Sequence, residues 1–301
     1  MNGQGAMRTD VGVIGTGLMG APMAIRILGA GHRAFVCNRT RAKAEELAGL
    51  GAVVLDTPGD VGRACDLVLL ALPSGPDVGA ALDELLEVLP IGSLVVDTST
   101  ISPGEARANS ERADRTGVGY VDAPVSGGPV AVNAGTLSVM AGGRPADLDL
   151  AEQLCAAFAG KFVRCGGPGA GQVAKACNQL VVAATIEIVA EALVLARAAG
   201  VDPALVREAL LGGFAASRIL DLHGERMLSR DFIPGGKARL QLKDIEIIRG
   251  AAREAGVTLR AFEAAAGQFE RLVEGGGGEL DHSAVVTVLE QDSGCLVADF
   301  R

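Results

Sequence analysis

Short apolar runs alternate with amphipathic stretches through the first half of the chain and give way to helical patterning in the second. Residues 10–14, 33–37, 66–72 and 93–97 read as strands. The run DLVLLAL at 66–72 is nearly continuous, as in strands buried on both faces of a parallel sheet. Between these runs, 77–89 places apolar residues at helical spacing. Residues 102–115 predict another helix, with Ser102 as N-cap and Pro103 at its first position. A strand at 136–141, a helix near 148–158 and a short strand at 161–164 continue the alternation. Such alternation predicts a doubly wound α/β sheet.

The character changes at Gly166, Gly167, Pro168, Gly169 and Gly171, a glycine-rich link. Residues 172–199 are then almost uninterrupted helix formers, ended by Gly200, which predicts a helix roughly 40 Å long at 1.5 Å per residue. Apolar residues occupy most of its circumference, so it requires burial in a helical domain or a subunit interface. Further helices are expected at 203–211, 215–227, 238–255, 260–273 and 283–291, and 274–279 as a flexible glycine run.

The first strand runs into Gly15, Thr16, Gly17, Leu18, Met19 and Gly20, in the order strand, glycine loop, helix start. The first glycine permits the tight turn, the second lets backbone N–H groups approach a pyrophosphate, and the third lets helix pack on strand. With 42 glycines in the chain, about one chance match to this spacing is expected, so context decides. A second match at Gly169, Gly171 and Ala174 lacks a following βαβ unit. The division expected is therefore a dinucleotide-binding, Rossmann-like domain over 1–166 and an all-helical substrate and oligomerisation domain over 167–301. The second strand ends at Asn38, Arg39 and Thr40, where an acidic residue would grip the adenosine ribose of NAD. No carboxylate is there. Asn38 and Arg39 offer donors suited to a 2′-phosphate, which favours NADPH with NAD as the alternative, although a solvated Arg39 at a helix start has the same sequence.

The chain has 301 residues, 49% of them hydrophobic, enough to bury a core in two domains. A formal net charge of -9 argues against nucleic acid or an anionic membrane as partner. The six cysteines show no metal-type spacing with the three histidines, so no metal site is expected, and reduced thiols in a cytoplasmic setting are the simplest account. No signal peptide is visible before the first strand, and the apolar run at 180–199 carries Glu187, Glu191 and Arg197, too much charge for an easy membrane span. The apolar helical faces need a partner, so a homodimer or homotetramer built on the second domain is expected.

Ligand loops in such a sheet lie at the C-terminal ends of strands, which singles out Leu72-Pro73-Ser74, Asp97-Thr98-Ser99-Thr100 and the stretch after Asp122. In the last, Ser126, Gly127 and Gly128 can present a hydroxyl beside consecutive backbone N–H groups as a carboxylate cradle, or form a structural turn. Lys175, Asn178 and Gln179 share one face of the first turns of the long helix. A cation near a helix start is unfavourable with the macrodipole, so Lys175 is either a surface residue or one with a chemical purpose.

These residues stand in a pattern that resembles the β-hydroxyacid dehydrogenase family, which includes 3-hydroxyisobutyrate dehydrogenase and tartronate semialdehyde reductase. The resemblance covers essentially the whole chain. It is carried by VGVIGTGLMGAPMA, DTSTISP, DAPVSGGPVAVNAGTLSVMAGG, GAGQVAKACNQ, QLKDIE and DHSAV. It implies an N-terminal Rossmann-like domain, an all-helical C-terminal domain and an active site between them. It further implies Lys175 as catalytic acid/base, with Ser126, Gly127 and Gly128 on the substrate carboxylate. Leu72, Pro73, Thr100 and Lys243 are implied as cofactor contacts, with Asp244 orienting its neighbours.

The chemistry so implied moves a hydride between nicotinamide and a carbonyl carbon while Lys175 supplies the proton, with Asn178 or Gln179 bonding the same oxygen or a substrate hydroxyl. The expected substrate is a small carboxylate-bearing aldehyde or its hydroxyacid. Gln179, where relatives often carry Asn, favours the tartronate semialdehyde (2-hydroxy-3-oxopropionate) branch. Gly236, where relatives often carry an aromatic, leaves room for larger substrates. The competing expectations are NAD-dependent 3-hydroxyisobutyrate oxidation, an imine reductase, which typically lacks the lysine, and a non-catalytic cofactor-binding module.

Overall fold

The structure, a computed structural model, describes residues 9–298. It forms two compact units, Met1–Lys175 and Ala176–Arg301. The first is built from β1 (Asp10–Ile14), α1 (Gly20–Gly29), β2 (Arg33–Cys37), α2 (Arg41–Glu45), β3 (Val53–Val54), α3 (Pro58–Ala64), β4 (Leu67–Leu70), α4 (Gly75–Leu86), β5 (Leu94–Asp97), α5 (Pro103–Arg115), β6 (Gly119–Asp122), β7 (Val125–Ser126), α6 (Gly128–Ala134), β8 (Leu137–Gly142), α7 (Pro145–Cys155) and β9 (Ala159–Gly166).

The strands lie in the order β3-β2-β1-β4-β5-β6-β8-β7, with β9 beside β8. From β3 to β6 all pairs are parallel, with Val13 aligned to Val36 and to Leu69. β8 then pairs antiparallel with β6 and β7 and parallel with β9. Because β1 has β2 on one side and β4 on the other, the order reverses there, which opens a crevice at the carboxyl ends of β1 and β4. The fold is α/β, a Rossmann-like doubly wound sheet, as the apolar runs predicted. One buried cluster, including Val11, Val13, Met23, Ile27, Val96 and Phe158, packs one face of the sheet. A second, including Ile14, Val68, Leu70, Leu82, Val95 and Tyr120, packs the other.

Helix starts follow their caps. Ser102 and Glu105 form a capping box at α5, and Ser74 caps α4, which starts at Gly75, two residues before the expected 77. Several elements lay below the sequence pattern, the short α2 and β7 among them. α3 (PGDVGRA) has poor intrinsic propensity but gains the Thr57 cap and Pro58 in its first turn. β3 is only two residues long, and α6 begins within the glycine pair expected to be a loop. α7 ends at Cys155, short of the expected 158, because Phe158 turns into the core and is fully buried.

The long helix is α8 (Ala170–Ala198). The all-helical second unit continues with α9 (Pro203–Leu211), α10 (Arg218–Ser229), α11 (Ala238–Ala255), α12 (Arg260–Glu274) and α13 (Val286–Ser293). α10 starts at Arg218, not at 215, because Ser217 accepts the Leu220 N–H. The glycine run at 274–279 is ordered, ending in a short 3-10 turn whose Glu279 pairs with Lys237 and Arg239. By length and composition α8 would suffice to cross a membrane, despite Glu187 and Glu191. In the second unit its Ala183, Ile186, Ala190 and Leu193 are fully buried with Phe262, Phe269 and Val286 in one core.

Candidate active site

The glycine loop is fixed by what its neighbours exclude. Gly15 has φ +94°, and a Cβ there would run into the Ala71 carbonyl; a Cβ on Gly20 would strike the Gly15 carbonyl. At Gly17 a Cβ would meet nothing within 4 Å, so the middle of the loop faces open space. Met19 provides no side-chain cap for α1, Leu18 is exposed, and the buried Thr16 Oγ1 has no hydrogen-bond partner. Uncapped N–H groups, an open glycine and an unpartnered hydroxyl fit a dinucleotide pyrophosphate.

Asn38 turns its amide onto this loop. Its oxygen accepts the Thr16 N–H at 3.0 Å and its nitrogen donates to the Thr40 carbonyl at 2.9 Å. Arg39 projects outward with its side chain 87% exposed, 3.3 Å from Asp77. A pair this exposed is weak and leaves the guanidinium available to an anion.

The two neighbouring strand ends are wired together. The Leu72 N–H donates to Ser99 Oγ at 2.9 Å, the Ser99 N–H donates to Asp97 at 2.9 Å, and the Tyr120 hydroxyl donates to Asp97 at 2.7 Å. Pro73 and the half-buried Thr100 thus sit on loops whose paths are set by the buried Ser99 and Asp97. Burial, then the Asp97 carboxylate, pushes the Tyr120 phenol well above its ordinary value, so it stays a donor.

Lys175 is buried, and its Nζ donates to the Val125 carbonyl at 2.9 Å. That carbonyl immediately precedes Ser126, which pairs with Ser138 across β7 and β8. Gly127 has φ +130° and Gly128 φ +66°, and the latter opens α6. The lysine ammonium therefore lies against the residue that immediately precedes Ser126, Gly127 and Gly128.

Two residues that hold this arrangement were not singled out by the sequence. Asp122, fully buried at the end of β6, accepts the Gly169 N–H at 2.7 Å and the Gln172 N–H at 2.9 Å. Burial pushes its carboxyl up to about 7, against the pull of those two bonds. The Gln172 side chain donates to the Ser99 carbonyl at 2.8 Å and accepts the Ile101 N–H at 3.2 Å. The second glycine match thus starts a helix that a carboxylate of this unit holds. The signal for Asp122 was its place at the end of a buried strand, but nothing in the sequence pairs it with residues 47 and 50 positions later.

In the second unit, Gln179 Nε2 donates to Asp244 at 2.5 Å and its oxygen accepts Asn178 Nδ2 at 2.9 Å. Lys243 Nζ lies 3.3 Å from Asp244. An ionised carboxylate only accepts, so Asp244 fixes which way both amides face.

His223, Asp281 and His282 bring potential metal-ligating atoms within 4.8 Å of one another. Asp281 is already saturated, however. It accepts the N–H groups of Gly235, Gly236 and Ser283 and the Ser283 hydroxyl, and Arg226 lies 3.1 Å away. A carboxylate so occupied beside a guanidinium is a poor cation ligand. Burial works against its charge, but the His223 ring, His282 and Ser283 outweigh it and hold its pKa well below the carboxylate range. His223 Nδ1, at 3.7 Å, is an electrostatic neighbour rather than a hydrogen-bond donor. Burial, then His223, pushes His282 down to about 4.

Residues 10–167 match the family profile described as the NAD binding domain of 6-phosphogluconate dehydrogenase. Residues 169–289 match that described as NAD-binding of NADP-dependent 3-hydroxyisobutyrate dehydrogenase. The chain belongs to the β-hydroxyacid dehydrogenase family. It is an NAD(P)-dependent enzyme of that family. The chain is 40% identical to a 2-hydroxy-3-oxopropionate reductase of Escherichia coli over 93% of its length and 97% of the relative's. It is 34% identical to a probable 3-hydroxyisobutyrate dehydrogenase of Mycobacterium tuberculosis, over 93% of this chain and 98% of that one. The solved 3-hydroxyisobutyrate dehydrogenase of M. tuberculosis with L-serine superposes with a TM-score of 0.86 at 31% identity, covering 94% of this chain and 99% of that one. Psf3 in complex with NADP+ and 2-OPP gives 0.82 at 27%, covering 93% and 99%.

Proposed function

We propose that this β-hydroxyacid dehydrogenase reduces a small carboxylate-bearing aldehyde of the 2-hydroxy-3-oxopropionate type to its hydroxyacid with NADPH, Lys175 serving as general acid/base. One observation carries the reading: a buried lysine whose ammonium is held by the carbonyl next to Ser126. Burying an ammonium is costly, and a fold retains one where it does chemistry.

Gly15, Thr16, Gly17, Leu18, Met19 and Gly20 would hold the pyrophosphate, Arg39 the 2′-phosphate, and Leu72, Pro73 and Thr100 the nicotinamide half. The cofactor supplies the hydride. Ser126 and the N–H groups of Gly127 and Gly128 bind the substrate carboxylate. Lys175 polarises the carbonyl oxygen and gives it a proton as the carbon is reduced, leaving a neutral amine; in oxidation the amine takes that proton back. Asn178 and Gln179, one turn further along α8 with amides oriented by Asp244, suit a substrate hydroxyl. Support for NADPH comes from the exposed Arg39, from the missing acidic residue after β2 and from the NADP+ bound to Psf3.

The second reading is NAD-dependent oxidation of 3-hydroxyisobutyrate, favoured by the likeness to the M. tuberculosis enzyme. The same groups serve either direction. Imine reductases at 20–21% identity and a reductive aminase at 23% share the fold alone. A cytoplasmic homodimer or homotetramer goes with the proposal: the six cysteines are free thiols, and Val181, Ile188 and Leu195 stand exposed at seven-residue spacing along α8. Cofactor oxidation with tartronate, succinic and methylmalonate semialdehydes and glyoxylate tests the reading. NADPH-dependent turnover of tartronate semialdehyde supports it; NAD-dependent oxidation of 3-hydroxyisobutyrate alone favours the second.

A further inference from the structure

We infer that Asp122 is a positioning residue for Lys175: one buried carboxylate fixes the start of the helix that carries the lysine, and so sets where its ammonium meets the Val125 carbonyl. The inference rests on the reading of Lys175 as the proton donor.

The geometry is specific. α8 opens with N–H groups that lack intrahelical acceptors. No residue beside them in sequence takes those at Gly169 and Gln172; they donate to the two oxygens of Asp122, at 2.7 and 2.9 Å. Both acceptor oxygens belong to one rigid group on β6, which is hydrogen-bonded to β5 and β8. Lys175 lies three residues after Gln172, and Val125 three residues after Asp122. The donor and acceptor of the 2.9 Å contact between Lys175 and Val125 are thus each about one turn or one short segment from the same carboxylate.

The surroundings are shaped to the carboxylate. A Cβ on Gly142 would come within 2.7 Å of Asp122 Oδ1, and one on Gly171 within 2.6 Å of the Asp122 carbonyl oxygen. Two glycines therefore let strand and helix close on it. The carboxyl sits in a fully buried place where burial, with Asp97 adding like charge from β5, pushes it up and the backbone N–H bonds it accepts oppose that push. A neutral capping residue would cost less, and an acceptor-only group is what two converging N–H donors require.

Ser126 and Gly127 have a different anchor. β7 is held by the pairing of Val125 with Val139 and Ser126 with Ser138, independently of the Asp122 side chain. The glycine loop rests on β1, β2 and β4. Loss of the carboxylate therefore displaces the ammonium and leaves the carboxylate cradle and the dinucleotide site in place.

In Asp122→Asn, one N–H donor faces an amide N–H instead of an oxygen. The expected result is a fall in kcat for tartronate semialdehyde on the order of tenfold to a hundredfold, the effect of misplacing a reacting group by about 1 Å. KM and the NADPH dissociation constant, read by fluorescence, stay within about threefold of wild type, as does the circular dichroism spectrum. Asp122→Glu keeps the charge and both acceptors but moves them outward by a methylene, and gives a smaller kcat loss with the same unchanged KM. Unchanged kcat in either folded variant overturns the inference. So does a parallel loss in kcat, KM and cofactor affinity, or failure of both variants to fold, since each marks a purely structural carboxylate. Lys175→Ala, run alongside, separates the two readings. If it keeps full activity, the assignment of Lys175 fails; if it is inactive while Asp122→Asn is not, only the positioning role fails.

Discussion

Asn38 and Thr16 are joined by a 3.0 Å hydrogen bond in which the Thr16 backbone N–H donates to the Asn38 side-chain oxygen. The end of the second strand thereby braces the glycine loop at its second residue. Removing the brace in Asn38→Ala takes away one such bond, worth about 1 kcal/mol. Fluorescence titration should show NADPH and NADH both weakened about fivefold. Loss of NADPH alone would mean that Asn38 reads the 2′-phosphate.

Arg39 carries the opposite expectation. Its exposed guanidinium meets Asp77 at 3.3 Å, a weak exposed pair, so in Arg39→Ala the fold loses little. A charge-assisted contact to phosphate is worth roughly 1.5–3 kcal/mol, so NADPH should bind at least about tenfold more weakly while NADH stays within twofold. Equal effects on both cofactors would remove the basis for NADPH preference.

Gly127 tests the carboxylate cradle. At φ +130° any side chain is strained, and a Cβ would come within 2.5 Å of the Ala131 Cβ. Gly127→Ala should raise KM for the aldehyde about tenfold or more and leave the NADPH dissociation constant unchanged. An unchanged KM would place the substrate carboxylate elsewhere.

His282 makes stability pH-dependent in a definite direction. Its folded pKa is pushed down to about 4 from 6.5. Above 6.5 it is neutral in both states and contributes nothing. As pH falls below that, the unfolded chain takes up a proton that the fold refuses, and stability drops by up to about 3 kcal/mol by pH 4. Asp281, with a depressed pKa, contributes stability above the ordinary carboxylate range and loses it only at lower pH, so it does not offset the trend. Asp122 and Glu187, pushed up to about 7, act in the opposite sense in wild type and variant alike, so the His282 contribution is read as a difference: between pH 7 and 4.5 the urea midpoint of His282→Gln should rise relative to that of wild type. Equal slopes would contradict this assignment.

Much of the site was legible because its parts are local. Gly15, Gly17 and Gly20 announce a loop through spacing and context, and Ser102 with Glu105 announces a helix start. Lys175 stands out as a cation where the helix dipole disfavours one. The groups that hold these parts were hidden because they act over long separations: Ser99 on the Leu72 N–H, Gln172 on the 99–101 loop, and Asp122 on the start of α8. The brace made by Asn38 was hidden for a related reason. Its amide suits a phosphate in isolation, and only the folded loop brings the Thr16 N–H against it. α6 was missed because Gly127 and Gly128 read as a turn, when their positive φ values open a helix.

Steady-state NADPH oxidation by wild type and Lys175→Ala, with tartronate semialdehyde as substrate and cofactor affinity measured on the same preparations, tests the central claim most directly. The account predicts turnover by wild type and a loss of about a hundredfold or more in kcat in the variant, with NADPH binding unchanged. A variant that binds NADPH and turns over at the wild-type rate would contradict it.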